Sequence, residues 1–277
     1  MGHRIRCPRF SSPFRSEHPM KLDIAHLPAH GPRRGTILFL HGAWSWLWYW
    51  QVYFMPWFAA QGYDAVAFSL RGHGASDGIE LINTASIGDY VRDLRSVVAT
   101  LDDPLIVGHS MGGFITQAYL ARFPARGAVL LASAAPKPLY AQLFRLMLTQ
   151  PGKMLRATLA QTVASGTSDT DNQRRQMFSR GPEDRSMDQY LPNIQAESYR
   201  AIASMLTRGL PHPERVTSPL LILGAGRDRL VPPDAVALTG KIYGKKPVMF
   251  DEMSHMMMLE PRWQAICETI LEFDRSL

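Results

Sequence analysis

The sequence predicts an α/β domain with a mostly parallel, doubly wound β-sheet and an inserted helical cap. Two observations support this prediction. Several short runs are apolar throughout rather than alternating, which is typical of strands covered on both faces. Stretches with helical spacing separate these runs, and regular alternation of strand and helix indicates a sheet flanked by helices. The predicted strands cover residues 36–40, 64–70, 105–107, 128–131, 220–223 and 247–250.

The clearest predicted helix covers residues 87–101, where apolar residues recur three and four positions apart and so share one helix face. Residues 111–123 and 261–273 show similar spacing. The nearly uncharged stretch 36–60 is interpreted as a strand, a loop and a helix in succession. A membrane-spanning helix is not expected there, because His41 and Pro56 interrupt the stretch.

The alternation of strand and helix stops in the stretch that we interpret as the inserted cap. Prolines bound this stretch at both ends, and helix-like segments near 139–163 and 185–208 lie inside it. A structureless loop of that length is rare in a compact domain. The predicted organisation is a flexible tail at 1–20, a core formed by 21–133 and 213–277, and a helical cap at 134–212.

Composition limits the classes of function. With 277 residues, 46% hydrophobic and 19% charged, the chain is expected to be an ordered globular protein. Its two cysteines are too few for a disulfide framework or a zinc site built from thiolates. The net charge is +6, to which the four arginines and one glutamate of residues 1–20 contribute +3. The other basic residues are scattered, so no nucleic-acid partner is expected, and the absence of a signal-like apolar segment favours a cytoplasmic location.

Residues 108–112, Gly-His-Ser-Met-Gly, form a G-x-S-x-G motif where an apolar strand ends and a predicted helix begins. This is the context of a nucleophile elbow, a tight turn that exposes a serine in a strained conformation. Small residues around the serine avoid clashes, and the following helix directs its N–H groups toward the site. Ser110 is therefore the candidate nucleophile. An ordinary helix N-cap is the alternative interpretation.

A serine hydroxyl needs a base, and the base needs an acid that orients it. His255 follows the last predicted strand and is the only one of nine histidines late enough to complete the order Ser, acid, His. Asp228 follows the predicted strand 220–223, at the sheet edge where α/β proteins place catalytic groups. A surface role for His255 and a helix cap or ion pair for Asp228 are the alternatives. Asp251 and Glu252 are the alternative acids.

The loop after the first apolar run is expected to help bind the oxyanion. In enzymes with a nucleophile elbow, one donor is the backbone N–H after the nucleophile and the other comes from this loop. The predicted donors are the N–H groups of Met111 and Ala43. His41 is predicted to brace the loop and not to act as a base.

Aromatic residues crowd this loop, and methionines populate the predicted cap. Such a lining suits an apolar acyl group or a bulky hydrophobic ester, although packing of the cap on the sheet explains most of these residues equally well. Trp44 and Trp46 are the predicted pocket residues. Neither a metal nor a nucleotide cofactor is expected, because the sequence has no phosphate-binding loop and no His/Cys cluster.

Five motifs in order resemble the α/β-hydrolase fold superfamily, and most closely its lysophospholipase and monoacylglycerol-lipase-like branch. They are His-Gly-Ala-Trp at 41–44, Arg-Gly-His-Gly-Ala-Ser at 71–76, Gly-His-Ser-Met-Gly-Gly at 108–113, Gly-Arg-Asp-Arg-Leu-Val-Pro at 226–232 and Ser-His-Met at 254–256. The resemblance covers about residues 22–275 and implies a Ser110–Asp228–His255 triad that works through an acyl-enzyme. Ser69 departs from it, since many relatives have an aspartate there.

The leading hypothesis is a carboxylic ester hydrolase that acts on a small hydrophobic ester. The resemblance specifies the substrate poorly, because the same scaffold hosts many chemistries. The triad could instead serve carbon–carbon hydrolysis, a lyase reaction, thioester cleavage or acyl transfer. A ligand-sensing receptor with a vestigial triad is the alternative from another class. The sequence predicts neither the physiological substrate nor the oligomeric state.

Overall fold

The computed structural model describes residues 20–137, 174, 176–179, 185–210 and 212–277. A seven-stranded sheet lies at the centre of this described part. Its strands are β1 (Ile24–Leu27), β2 (Gly35–Leu40), β3 (Tyr63–Phe68), β4 (Leu105–His109), β5 (Ala128–Leu131), β6 (Leu220–Ala225) and β7 (Val248–Phe250). Their spatial order is β1-β3-β2-β4-β5-β6-β7. Strand β1 is antiparallel to β3, and the other neighbouring pairs are parallel.

Six of these strands are the predicted ones, with ends that differ by at most two residues. Strands β4 and β5 are buried along their whole length, which explains why their sequences are apolar without alternation. Strand β1 was not predicted. Its four residues alternate between exposed and half-buried, because it lies at the edge of the sheet.

Helices accompany the sheet in the expected order. They are α1 (Trp48–Val52), α2 (Phe54–Ala60), α3 (Ile87–Val98), α4 (Met111–Leu120), α5 (Tyr199–Thr207), α6 (Pro233–Tyr243) and α7 (Trp263–Arg275). Short 3-10 helices cover Ile79–Thr84, Arg185–Asn193, Pro213–Arg215 and Met257–Leu259. The stretch 36–60 contains two short helices rather than the single predicted one, because the backbone leaves helical geometry at Tyr53. Helix α6 was not predicted.

The sheet is covered on both faces, as the doubly wound prediction requires. Alternate residues of β2 belong to different apolar clusters, since successive side chains of a strand point to opposite faces. Ile37 and Phe39 pack with α1, α2 and α7. Leu38 and Leu40 pack with α3, α4 and α6. The predicted fold class is therefore confirmed.

The predicted cap lies partly outside the described residues. The helical segment expected at 139–163 falls entirely in the part that is not described, as do residues 1–19 of the predicted tail. The segment expected at 185–208 contains the 3-10 helix Arg185–Asn193, an irregular stretch at 194–198, and α5. The division into core and cap stays a prediction. Among the described helices, none combines the length and the apolar character needed to cross a bilayer.

Candidate active site

Ser110 is the single residue between the end of β4 and the start of α4. Its backbone angles are φ 54° and ψ −119°, in a region that residues with a side chain rarely occupy. The Ser110 N–H donates to the Leu131 carbonyl oxygen at 3.0 Å, so the neighbouring strand β5 holds the turn in place. The strained conformation predicted for a nucleophile elbow is present.

Close contact between two chain segments explains the glycine after the turn. A Cβ on Gly112 would lie 2.7 Å from the Leu40 carbonyl oxygen and still nearer to that of His41. The loop after β2 also touches the elbow, because a Cβ on Gly42 would lie 2.8 Å from the Cβ of Ser110. Only a residue without a side chain fits at these contacts, which bring the predicted oxyanion loop against the candidate nucleophile.

The close approach of Gly112 to the end of β2 leads to a prediction about stability. We expect Gly112→Ala to destabilise the protein by about 1–3 kcal/mol, because the added methyl group must displace backbone at the end of β2. Urea-induced unfolding measures the change. Gly88→Ala is the matched control, since a Cβ there meets nothing closer than Ser86 Oγ at 3.6 Å. Equal stability of the two variants would contradict the steric argument.

His255 and Asp228 form a buried pair beyond the ends of β6 and β7. The distance from His255 Nδ1 to Asp228 Oδ2 is 2.8 Å, and each residue is 4% exposed. Asp228 Oδ1 accepts the N–H groups of Leu230 and Val231, both at 2.8 Å. Because the carboxylate accepts the Nδ1 proton, Nε2 of the ring keeps a lone pair that can take a proton from a substrate or a hydroxyl group.

The alternative acids do not occupy this position. Asp251 and Glu252 are both exposed, and Glu252 forms a surface ion pair with Arg227. The structure therefore brings Asp228, the acid preferred from the sequence, to the imidazole of His255.

Ser110 and His255 line the same cleft. In the described part of the chain no hydrogen bond joins the Ser110 hydroxyl to the His255 ring, a contact that often tightens only when substrate binds. Ala43 and Trp44 also line the cleft. Trp46 does not. Trp46 is half-buried and packs against the apolar cluster that contains Ile37 and Phe39. This predicted pocket residue therefore does not line the cleft.

His41 fixes the loop that follows β2. Its Nε2 accepts the Leu70 N–H at 2.9 Å, so Nδ1 carries the proton and donates to the Gly42 carbonyl oxygen at 2.8 Å. Burial, aided by the nearby His73, lowers the pKa of His41 to about 3 and keeps the ring neutral. In a trans peptide the N–H points away from the C=O. By holding the Gly42 carbonyl, His41 therefore orients the Ala43 N–H, in agreement with a bracing role.

Residues within the predicted cap form part of the cleft wall, and among them only Met177 belongs to the cap methionines that the sequence analysis considered as a lining. They are Met177, Phe178, Tyr190, Leu191, Asn193 and Ile194. Backbone hydrogen bonds attach this wall to the core, from Met256 N–H to the Met177 oxygen at 3.0 Å and from Gln195 N–H to the Trp44 oxygen at 2.8 Å. The local sequence pattern around these wall residues is irregular, so it did not indicate that they line one site.

A buried ion pair makes a third attachment of this wall to the core. His73 Nε2 lies 3.1 Å from Glu197 Oε2, and His73 Nδ1 lies 3.1 Å from the Arg71 carbonyl oxygen. Glu197 Oε1 also accepts the hydroxyl of Tyr90 at 2.7 Å. Burial disfavours the imidazolium form, but the Glu197 carboxylate outweighs this effect and raises the pKa of His73.

The ion pair predicts a pH-dependent contribution to stability. Because the pKa of His73 is raised in the folded state, the contribution is complete below the ordinary pKa of about 6.5 and is lost as the pH rises through the folded value. We expect Glu197→Gln to lower the free energy of unfolding by about 3 kcal/mol near pH 6, since it leaves a buried charge unpaired. The difference from the wild type should shrink by about pH 9.

Urea unfolding at both pH values measures this effect. Glu80→Gln serves as the control, because Glu80 is an exposed carboxylate on the 3-10 helix Ile79–Thr84. A Glu197→Gln effect that is the same at the two pH values would show that His73 is not charged in the folded protein.

The described ranges contain no group of three or more His, Cys, Asp or Glu side chains that could hold a metal ion. What they contain is a strained serine after a central parallel strand, with a buried His–Asp pair at the same cleft. This arrangement on a helix-flanked sheet is the one found in proteins of the α/β-hydrolase class. A model of the alpha/beta hydrolase family matches residues 37–268, and the chain belongs to this family.

Two relatives illustrate the activities named for proteins of similar sequence. It is 28% identical over 186 residues to a monoacylglycerol lipase of Mycolicibacterium smegmatis, a match that covers 63% of this chain and 64% of the relative. It is 33% identical over 114 residues to a bifunctional esterase/perhydrolase of Acinetobacter calcoaceticus, covering 38% and 40%. The chain thus spans less than two thirds of the length of these relatives.

Solved structures share the fold of this protein over more than nine tenths of its chain. An esterase from Exiguobacterium antarcticum has a TM-score of 0.73 at 20% identity, with 92% of this chain and 96% of that chain covered. The monoacylglycerol lipase of Paleococcus ferrophilus has a TM-score of 0.69 at 20% identity, with 93% and 99% covered. At this identity the likeness concerns the fold. The family match shows membership of the alpha/beta hydrolase family, and the proteins to which this chain is similar include monoacylglycerol lipases and esterases.

Proposed function

We propose that the protein is a serine hydrolase that cleaves carboxylic esters with an apolar acyl or alcohol part. The observation that carries this proposal is the buried hydrogen bond between His255 and Asp228 at the cleft that the strained Ser110 also lines. A serine hydroxyl becomes an effective nucleophile when an oriented base can remove its proton. The three side chains supply the nucleophile, the base and the orienting acid in one place.

In the proposed reaction, the Ser110 oxygen attacks the ester carbonyl carbon while His255 Nε2 takes the hydroxyl proton. Asp228 holds the imidazole and stabilises its charged form. When the tetrahedral intermediate collapses, the bond to the alcohol oxygen breaks and His255 returns the proton to that oxygen. Water, deprotonated by His255, then attacks the acyl-enzyme and releases the carboxylic acid and the free serine.

Two backbone N–H groups are proposed to bind the oxyanion. The Met111 N–H lies at the start of α4, where the helix dipole favours negative charge. The Ala43 N–H belongs to the peptide that His41 orients through its carbonyl. A donor of this kind typically lowers the barrier by about 3–4 kcal/mol, because it is aimed at the charge before the reaction begins.

The cleft lining supports an apolar ester. Large apolar and aromatic side chains face it, and a lining of this type binds hydrophobic ligands while a few polar groups fix their orientation. The residues with such side chains are Trp44, Trp48, Met177, Phe178, Leu191 and Ile194. The names of the two relatives, a monoacylglycerol lipase and an esterase, also favour ester substrates.

The proposal predicts that the protein hydrolyses p-nitrophenyl esters and reacts with a fluorophosphonate probe. We expect Ser110→Ala to abolish both reactions. Asp228→Asn should lower kcat by about 10⁴-fold, since the imidazole then loses the partner that sets its tautomer. Release of p-nitrophenolate and labelling of the protein measure the two effects. Turnover that survives in Ser110→Ala would end the serine hydrolase proposal.

Matched controls separate these effects from general damage. Ser96→Ala removes an exposed serine of α3, and Asp251→Asn removes the exposed carboxylate that the sequence offered as an alternative acid. Both variants should keep full activity. If Asp251→Asn loses activity and Asp228→Asn retains it, the assignment of the acid is wrong.

A further inference from the structure

A series of hydrogen bonds connects the loop after β2 to the loop that contains His255. The Gly42 N–H donates to the Tyr49 hydroxyl oxygen at 2.7 Å. That hydroxyl lies 3.2 Å from His109 Nδ1, and His109 Nε2 lies 3.0 Å from the His255 carbonyl oxygen. Tyr49 and His109 are buried, with 0% and 2% exposure.

The direction of each hydrogen bond follows from the groups involved. A carbonyl oxygen only accepts, so His109 Nε2 carries a proton and donates it to the oxygen of His255. Burial, with a contribution from His255, holds the pKa of His109 well below its usual value, so the ring is neutral and Nδ1 accepts. Burial likewise raises the pKa of Tyr49, which therefore donates its hydroxyl proton to Nδ1.

Each end of this series of hydrogen bonds holds a segment that carries a group used in the proposed reaction. At one end, Gly42 is held by Tyr49 through its N–H and by His41 through its C=O, which sets the direction of the Ala43 N–H. At the other end, the main chain of His255 is held by His109 while its ring is held by Asp228. The oxyanion donor and the base are thereby placed relative to each other.

We propose that Tyr49 and His109 are positioning residues that set the distance between the oxyanion loop and the imidazole of His255. This inference rests on the proposed serine hydrolase function. Neither residue exchanges a proton with substrate. They act through the Ala43 N–H and the His255 ring, both of which contact the reacting group mainly in the transition state, so their loss should lower kcat rather than raise KM.

Tyr49→Phe is the first test, because it removes the hydroxyl and keeps the ring that packs in the core. We expect kcat for a p-nitrophenyl ester to fall about 10-fold to 100-fold, since small displacements of catalytic groups have effects of this size. The KM should stay within about twofold of the wild type, because Tyr49 lines the cleft and the substitution keeps its aromatic ring in place. A kcat within about twofold of the wild type would overturn the inference.

His109 provides the second test. His109→Phe removes both hydrogen bonds and should lower kcat by a similar factor. His109→Gln can still donate to the His255 oxygen and accept from the Tyr49 hydroxyl, so it should recover much of the loss. Because the two residues act as one unit, the Tyr49→Phe/His109→Phe double variant should be no slower than the slower single variant. Losses that multiply in the double variant would contradict the proposed unit.

Tyr63→Phe is the matched control. It also removes a buried tyrosine hydroxyl, one that donates to Asp274 at 2.7 Å on a helix away from the cleft. It should lower the free energy of unfolding and leave kcat and KM unchanged. A comparable fall of kcat in this variant would show that any loss of buried hydrogen bonding slows the enzyme, and the positioning role would then be wrong.

Nuclear magnetic resonance of protein labelled with ¹⁵N-histidine tests the hydrogen-bonded chain without any substrate. His109 should stay neutral, with its proton on Nε2, from about pH 5 to pH 9. A proton on Nδ1, or titration within this range, would overturn the inference. If the wild type cleaves no ester and binds no fluorophosphonate, the proposed function fails. An active wild type with unaffected Tyr49 and His109 variants overturns only the positioning role.

Discussion

The hydrogen bond between His255 and Asp228 is the interaction on which the proposed chemistry depends. It joins two loops 27 residues apart and gives the imidazole both its orientation and its tautomer. The carboxylate is itself held by two backbone N–H groups, so it presents one free oxygen to the ring. Without this pair, no oriented base would be available in the cleft to remove the proton of the Ser110 hydroxyl.

The parallel sheet explains why these groups meet. Strands β2, β4, β6 and β7 all end at the same edge, and the four elements of the site follow them in turn. The sequence could predict this, because strand ends are readable from apolar runs and the motifs lie directly after them. The strained backbone of Ser110 and the proximity of Asp228 to His255 both agree with that reading.

Other parts of the site depend on contacts between distant residues, which no local pattern encodes. His73 and Glu197 are 124 residues apart, and the motif at 71–76 that contains His73 does not indicate which residue pairs with it. The cleft wall around Tyr190 and Leu191 is set by attachments to the core rather than by periodicity. Trp46 shows the same limit, because composition cannot decide which tryptophans face the cleft and which pack in the core. The positioning role proposed for Tyr49 and His109 likewise rests on geometry and not on a sequence pattern.

The most direct measurement of the central claim is the site of acylation during turnover. The protein would be mixed with a p-nitrophenyl ester, quenched in acid within the first turnover, digested and analysed by mass spectrometry. The account predicts one acyl group per molecule, carried by Ser110. Acylation of another residue, or hydrolysis without any acylated serine under conditions where the acyl group is released slowly, would contradict it.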